Sequence, residues 1–323
     1  MALPAMQALR AAFADRTLIV AAPSSVAPLF QETTGASPDD VVTVERKTEA
    51  ESLRAVRVDL AILLPNSFRT AWVSRQAGIP ERWGYRAHGR GLLLTRRIAR
   101  PRGRRHQSDY YLELVRRCGL EAPAVIPRIH VTEGTRRRAL DLIDRAGIDR
   151  AAPLVGMAPG AAYGHAKRWP PSRVAALARR LGDGGATTVL VGAGGDRDAG
   201  REIESALPAG TRLVNMIGRT DLRLLVGLLA QCHAFVSNDS GAMHLAAAAG
   251  VPVTAIFGPT DERATAPLGD HDVIIHQVFC RPCMLRDCPI DHRCMRGVGV
   301  DAVFDAVTRR LAGNPRTPAG LHP

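Results

Sequence analysis

The chain has 323 residues, enough for two domains of ordinary size. Hydrophobic residues make up 46% and charged residues 23%, a globular balance that excludes a mostly disordered chain and a coiled coil. The formal net charge of +12 favours an anionic partner such as a nucleotide, a phosphorylated sugar, an anionic membrane face or a nucleic acid, although arginine-rich GC-biased coding is an alternative explanation.

The first part of the chain alternates helix and strand patterns. Residues 5–14 are typical of a helix, and short apolar runs predict buried strands at 16–22, 41–44 and 59–64. Continuous apolar runs of this kind favour a parallel sheet that is covered on both faces. Residues 86–106 are dense in arginine and predict a surface loop or helix, and residues 110–118 predict another helix.

The second part repeats the alternation more regularly. Apolar runs predict strands at 154–158, 187–191, 212–215, 233–237 and 252–257. Amphipathic patterns predict helices at 133–145, 172–181, 197–207, 222–231, 242–249 and 300–312. Two such series predict two Rossmann-like α/β domains, 1–125 and 126–313, followed by a frayed tail at 314–323.

Membrane and secretion signals are not predicted. Arg10 and Asp15 interrupt the apolar start, and Gly250 and Pro252 interrupt the apolar run from Leu245. The six cysteines are not spaced like the disulfide framework of a small secreted domain. The expected location is the cytoplasm, with a peripheral position at the inner membrane as a further expectation.

The most informative motif is SNDSGAMH, which begins at Ser237, follows a predicted strand and opens a predicted helix. Asp239 or Ser240 can cap that helix, and Gly241 removes a side chain where a phosphate would approach. His244 lies about one turn further, on the side of Ser240. The N–H groups and positive dipole of the helix start can bind a diphosphate. The alternative is an ordinary capped core helix with one polar histidine.

Two other loops also follow predicted strands. The loop APGAAYGHAKRW spans 158–169 and contains Lys167, one of only two lysines in the chain. A compact ammonium suits a departing diphosphate, and the alternative is a solvated surface lysine. In the loop GAGGD, Asp196 can accept a hydrogen bond from a ribose hydroxyl, and the alternative is a plain glycine-rich turn.

Together these motifs resemble the lipopolysaccharide heptosyltransferase family, nearest to its heptosyltransferase II group. The resemblance rests on SNDSGAMHLAAAAGVPVTAIFGPTDERATAPLG from Ser237, PGAAYGHAKRWP from Pro159 and CRPCMLRDCPIDHRCM from Cys280, in this family's pattern. It covers the whole second half of the chain. It is weaker over 1–120, where chiefly MALPAMQALRAAF is similar.

The resemblance implies two Rossmann-like domains that face each other across a cleft, the glycosyltransferase B architecture, with the C-terminal helix packing back on the first domain. It implies an inverting, metal-independent enzyme of Gram-negative bacteria. Such an enzyme moves L-glycero-D-manno-heptose from ADP-heptose to the inner-core oligosaccharide on lipid A in lipopolysaccharide biosynthesis. The expected partners are this donor, this acceptor and the inner face of the cytoplasmic membrane, with no nucleic acid. Arginines between Arg90 and Arg105 would face the acceptor or the membrane, or form a solvated charge run.

Carried over to this chain, the resemblance makes Lys167 the catalytic group that stabilises the departing ADP, and Asp196 the ribose partner. It assigns ADP-heptose binding to Pro159, Gly160, Ala161, Lys167, Asp196, Asp239, Ser240, Gly241 and His244. The family's turn with an aspartate as general base precedes the segment matched by MALPAMQAL, so that base is not expected in this chain. This departure motivates a second hypothesis, a catalytically inactive relative that binds nucleotide sugars.

Four cysteines near the C-terminus, Cys280, Cys283, Cys288 and Cys294, have the spacing C-x2-C-x4-C-x5-C, with His292 nearby. This spacing is compatible with a structural zinc site. Reduced structural thiols and labile disulfides are the alternatives. A loop position favours a structural role, and no metal is expected for catalysis.

Overall fold

The computed structural model describes residues 1–317, which form two compact units. The first unit ends at Pro127 and the second begins at Arg128. Both units combine parallel β-strands with α-helices. Within the described range, no helix has the length and apolar character that crossing a membrane requires.

The first unit contains short strands and helices. Its strands are β1 (Ile19–Ala22), β2 (Thr33–Thr34), β3 (Asp40–Thr43), β4 (Leu60–Leu63), β5 (Glu81–Tyr85) and β6 (Arg96–Ile98). Its helices are α1 (Leu3–Ala12), α2 (Glu49–Val56), α3 (Phe68–Gln76) and α4 (Gln107–Arg117), with 3-10 turns at Ala27–Gln31 and Arg90–Leu93. β1 pairs with β3, and β4, β5 and β6 form a separate sheet in that order, all in parallel.

A buried arginine organises one edge of the β4-β5-β6 sheet. Arg90 is fully buried, and its Nε donates to the Tyr85 carbonyl at 2.8 Å. Its Nη1 donates to the carbonyls of Pro65 and Ser67. Because Pro65 follows β4 and Tyr85 ends β5, Arg90 joins the carboxyl ends of two neighbouring strands.

The second unit contains a larger sheet. Its strands are β7 (Ile129–His130), β8 (Leu154–Ala158), β9 (Thr187–Leu190), β10 (Leu213–Asn215), β11 (Ala234–Asn238), β12 (Val253–Phe257) and β13 (His271–Ile275). Its helices are α5 (Glu133–Arg145), α6 (Pro171–Asp183), α7 (Arg197–Ser205), α8 (Leu222–Leu229), α9 (Gly241–Ala248), α10 (Glu262–Thr265), α11 (Arg293–Arg296) and α12 (Val300–Gly313), with 3-10 turns at His165–Lys167 and Gly194–Asp196. Six parallel strands pair in the order β10-β9-β8-β11-β12-β13.

The strand order of this sheet creates a topological switch point. From β8 the chain adds β9 and β10 on one side, and it then returns to add β11, β12 and β13 on the other. Every residue of β8, β11 and β12 is buried, because α6 and α12 pack on one face and α5, α8 and α9 on the other. In such sheets, ligands bind at the carboxyl ends of the strands where the order reverses.

The C-terminal helix belongs to the second unit. Val303, Val307 and Leu311 on α12 are buried in the same core cluster as α6. The apolar face of α12 is therefore buried in its own unit, and the expected packing of this helix on the first domain stays a prediction. Asn314 Nδ2 donates to the His233 carbonyl at 2.8 Å, so this part of the expected frayed tail is anchored. The rest of that tail, 318–323, lies outside the described residues.

Candidate functional site

Two loops meet at the switch point, one after β8 and one after β11. Asn238, the last residue of β11, ties them together. Its Nδ2 donates to the Pro159 and Gly160 carbonyls at 2.7 and 3.3 Å, and its Oδ1 accepts from the Trp169 N–H at 3.2 Å. Pro159, Gly160 and Ala161 are buried, so they shape the β8 loop. The motif contained Asn238, but its bridging role depends on the pairing of β8 with β11, which the sequence does not state.

Lys167 and Asp239 form an ion pair in this region. Their Nζ and Oδ2 atoms lie 2.6 Å apart, and the side chains are only 12% and 7% exposed. The Lys167 ammonium also lies 4.7 Å from the centroid of the Tyr163 ring. Thr260, after β12, donates its hydroxyl to the same Asp239 oxygen at 2.8 Å. Lys167 is therefore not a solvated surface lysine, and Thr260 is a site residue that sequence analysis missed.

The Lys167 ammonium keeps capacity for an anion. An ammonium has three N–H donors, and in the described structure one hydrogen bond, to Asp239, is made. The two remaining N–H groups can donate to phosphate oxygens. The carboxylate holds the ammonium in a partly buried position, where its field is screened less than at the surface.

The Asp196 carboxylate lies close to Gly160. Its Oδ1 accepts from Arg168 Nη2 at 3.3 Å, and its Oδ2 accepts from the Ala193 N–H at 3.2 Å. A Cβ at Gly160 would overlap this carboxylate, so glycine is needed here for close packing. The Nε of Arg168 has no hydrogen-bond partner among the described residues. Arg168 is thus a second cation beside Lys167, and sequence analysis missed it.

The start of α9 is open. A Cβ at Gly241 would have no neighbour within 4 Å among the described residues, so a ligand can approach the helix N–H groups. Ser240, at the N-cap, makes no capping bond there, and its Oγ lies 2.9 Å from Ser237 Oγ. Asp239 contacts Lys167 and Thr260, so neither predicted residue caps this helix. His244 lies partly buried one turn into α9.

The four clustered cysteines line one small cavity together with Ala166 and Pro259. All four are free thiols. In the part of the chain that the structure describes, no group of three or more His, Cys, Asp or Glu side chains is arranged to hold a metal ion. The zinc interpretation of Cys280, Cys283, Cys288 and Cys294 therefore stays a prediction. Cys294 packs in the hydrophobic core, and burial raises the pKa of its thiol.

The arginine-rich stretch of the first unit is divided between core and surface. No acidic residue lies between Glu81 and Asp109 in the sequence. Arg102 and Arg105 are exposed, whereas Arg90 is fully buried. The expectation that the arginines from Arg90 onward face a partner or solvent is therefore wrong for Arg90, whose guanidinium is used inside the unit.

A family model, glycosyltransferase family 9 (heptosyltransferase), matches residues 46–293. The chain belongs to this family. It is 37% identical over 244 residues to lipopolysaccharide heptosyltransferase 2 of Escherichia coli K12, a match that covers 72% of this chain and 69% of the relative. It is 35% identical over 242 residues to lipooligosaccharide heptosyltransferase 2 of Haemophilus influenzae, covering 71% and 68%.

Solved heptosyltransferase structures share its fold. The chain matches the structure of E. coli ADP-heptose lipopolysaccharide heptosyltransferase II with a TM-score of 0.82 and 30% identity, over 96% of this chain and 94% of that one. This confirms the predicted α/β fold of the glycosyltransferase B class and the resemblance based on the motifs. As a member of the heptosyltransferase family, the chain is a glycosyltransferase.

Proposed function

We propose that this chain transfers L-glycero-D-manno-heptose from ADP-heptose to the inner-core oligosaccharide of lipopolysaccharide, with inversion at the anomeric carbon. The observation that carries the donor side is the Lys167–Asp239 pair at the switch point, beside the open start of α9. The names of the two relatives reported above, both heptosyltransferase 2 proteins, support heptose as the sugar.

In this proposal Lys167 stabilises the departing ADP. Cleavage of the sugar–phosphate bond adds negative charge to the diphosphate. Lys167 has N–H groups left for that charge, and the start of α9 adds the positive end of a helix dipole. Because Asp239 and the surrounding loops hold the ammonium in place, little reorganisation accompanies the charge development. The free N–H donors of Lys167 and the start of α9 can bind diphosphate oxygens without a divalent cation, so we propose that transfer is metal-independent.

The nucleotide and sugar would occupy the space around these groups. Asp196 is proposed to accept from the ribose, since a carboxylate has about four acceptor positions and the contacts to Arg168 and Ala193 use two. Ser240, Gly241 and His244 are proposed to line the diphosphate and heptose positions. The backbone of 159–161 would close the pocket.

For the acceptor side we propose electrostatic contacts. Exposed arginines such as Arg102 and Arg105 would contact the phosphorylated acceptor and the inner face of the cytoplasmic membrane. Such contacts fit the acid-free stretch between Glu81 and Asp109. None of the described carboxylates is proposed as the general base.

A transfer assay with ADP-heptose and an inner-core acceptor tests the proposal. We expect Lys167→Ala to lower turnover by about 30- to 1,000-fold, the loss of about 2–4 kcal/mol of transition-state stabilisation. The matched control is Lys47→Ala, which removes the other lysine, exposed in the first unit, and should retain full turnover.

Three outcomes would contradict parts of the proposal. Equal turnover of the Lys167→Ala and Lys47→Ala variants would exclude the leaving-group role. Activity lost in EDTA and restored by magnesium would exclude metal independence. ADP-heptose binding without any transfer would favour the inactive nucleotide-sugar-binding relative instead.

A further inference from the structure

The segment 280–288, which contains three of the four clustered cysteines, contacts the Lys167 loop. The Ala166 N–H donates to the Arg286 carbonyl at 2.9 Å, and the Tyr163 hydroxyl donates to the Met284 carbonyl at 3.0 Å. The Arg286 guanidinium also lies 5.2 Å from the Tyr163 ring centroid. Tyr163 therefore has Lys167 over its ring and the segment at its hydroxyl.

The same segment contacts the turn that follows β12. Arg281 has a side chain only 3% exposed, and its Nε donates to the Gly258 carbonyl at 2.6 Å. Its Nη2 donates to the Thr260 carbonyl at 3.2 Å and pairs with Glu262 at 2.7 Å. The Met284 N–H donates to the Pro259 carbonyl at 2.9 Å. Arg281 and Met284 thus fix the turn that carries Thr260.

These contacts form a closed ring of interactions that includes the Lys167–Asp239 ion pair. Lys167 pairs with Asp239, Asp239 accepts from Thr260, and segment 280–288 joins the Thr260 turn back to the Lys167 loop. The ring adds to the strand pairing and to the Asn238 bonds, which fix the two ends of the Lys167 loop. Ala162, Tyr163 and His165 are exposed, so the outer part of the Lys167 loop depends on this docking for its position.

We infer that segment 280–288 is the positioning element of the donor site: it holds the Lys167 loop against the 258–262 turn and so sets the geometry in which the diphosphate binds. This inference rests on the proposed function. Its physical basis is preorganisation, since a loop that is already docked loses less conformational freedom when the ligand arrives. It also gives the cysteine-rich segment a role outside catalysis, through packing around the cavity under Ala166.

Gly164 provides a direct test. A Cβ at Gly164 would overlap the Arg286 carbonyl. The backbone φ of Gly164 is +155°, which other residues rarely adopt. Gly164→Ala should therefore push the Lys167 loop away from segment 280–288. By isothermal titration with ADP, we expect Gly164→Ala to weaken binding about tenfold, comparable to one lost charge-assisted contact. The matched control is Gly134→Ala on α5, where a Cβ meets nothing within 4 Å among the described residues.

A second pair of variants changes Arg281, which lies in segment 280–288 and outside the Lys167 loop. Arg281→Ala removes the bonds to the 258–262 turn, whereas Arg281→Lys keeps the charge next to Glu262. We expect Arg281→Ala to weaken ADP binding about tenfold and Arg281→Lys to restore part of it. Thermal unfolding of each variant, recorded alongside, identifies any general loss of structure.

The outcomes separate this inference from the proposed function. Unmodified protein that does not bind ADP would contradict the donor assignment itself, and the inference with it. If unmodified protein binds ADP, and folded Gly164→Ala and Arg281→Ala bind it equally tightly, the segment has no positioning role and the donor assignment stands. Lower melting temperatures with unchanged ADP affinity would likewise overturn the inference, because they indicate a merely structural segment.

Discussion

Each unit holds a cation of low solvent exposure at the carboxyl ends of its parallel strands, and the two cations have different partners. In the first unit, Arg90 donates to the carbonyls of Tyr85, Pro65 and Ser67 and to side-chain oxygens of Thr70 and Asn66. All of these acceptors are neutral. In the second unit, Lys167 contacts one carboxylate, Asp239, and the face of Tyr163.

The difference separates a structural cation from one available to a ligand. Hydrogen bonds within the first unit use four of the five N–H donors of Arg90, so only one donor is left for another anion. Lys167 makes one hydrogen bond and keeps two donors in reserve. A buried positive charge is therefore not by itself a sign of function. The number of its donors that remain available is the more informative quantity.

The largest effect on stability is expected for Arg90→Ala. This variant leaves the buried Tyr85 carbonyl and the Pro65 carbonyl without their donor and opens a cavity, so the free energy of unfolding should fall by about 4 kcal/mol. Urea unfolding followed by circular dichroism measures it, with exposed Arg102→Ala as the control, expected within about 0.5 kcal/mol of the unmodified protein. ADP affinity of the folded protein should not change. A clear loss of ADP affinity would show that Arg90 is not a purely structural cation.

A smaller effect is expected for Asp239→Asn. The substitution keeps an acceptor for Thr260 but leaves the partly buried Lys167 ammonium without its counter-charge, so unfolding free energy should fall by about 3 kcal/mol. Asp198→Asn is the control, since the Asp198 side chain is 88% exposed and its pair with Arg201 should contribute little. Equal stabilities of the two variants would mean that Lys167, like Arg90, does not need a charged partner.

The smallest effect concerns His233, next to β11. Burial lowers the pKa of His233, and its Nδ1 accepts from the Leu154 N–H at 3.0 Å. Because the unfolded chain binds this proton more readily, stability is fully present above the ordinary pKa of about 6.5 and is lost as pH falls through the folded pKa. Melting temperatures should therefore decline below that pH.

His233→Asn, which retains an acceptor but does not titrate, should flatten the decline in melting temperature. His130→Asn, a change at an exposed histidine, should not. Identical pH profiles for all three proteins would contradict this role of His233.

The sequence predicted the strands of the second unit well where both faces of the strand are buried. The run at 154–158 was predicted as a strand and is β8, because a strand covered on both faces is apolar throughout. The edge strand β13 was missed, since its residues are only half-buried and begin with His271 and Asp272. Tertiary pairing, which a local pattern does not contain, decides such strands.

The first unit was predicted less completely for a related reason. The stretch 86–106 was predicted as a loop or surface helix, yet it contains β6, and β5 was missed just before it. Arg96 is tolerated in β6 because its guanidinium stacks 4.6 Å from the centroid of the Trp83 ring, a cross-strand contact between β5 and β6. An arginine with this partner is compatible with a strand, but the partner is known only once the strands are paired.

The candidate site shows the same limit. Lys167 and Asp239 were both predicted from their motifs, but their pairing was not, because 72 residues separate them. Asn238, Thr260 and Arg281 were missed as site residues. A polar residue in a loop has no periodic signal, so its role emerges only from the atoms that it contacts.

The closed ring that contains Lys167 has a consequence for the stability of the native state if the proposed donor binds there. Its contacts join residues that are 72 and 121 positions apart, and contacts of such separation carry a high loop-closure cost that only the folded chain repays. The site is therefore present in the native chain and absent from the unfolded one, so the proposed donor stabilises the native state by mass action. Proteases attack opened chains, so a bound donor that lowers the opened population would slow degradation. The supply of nucleotide sugar would then influence the lifetime of the protein as well as its catalytic rate.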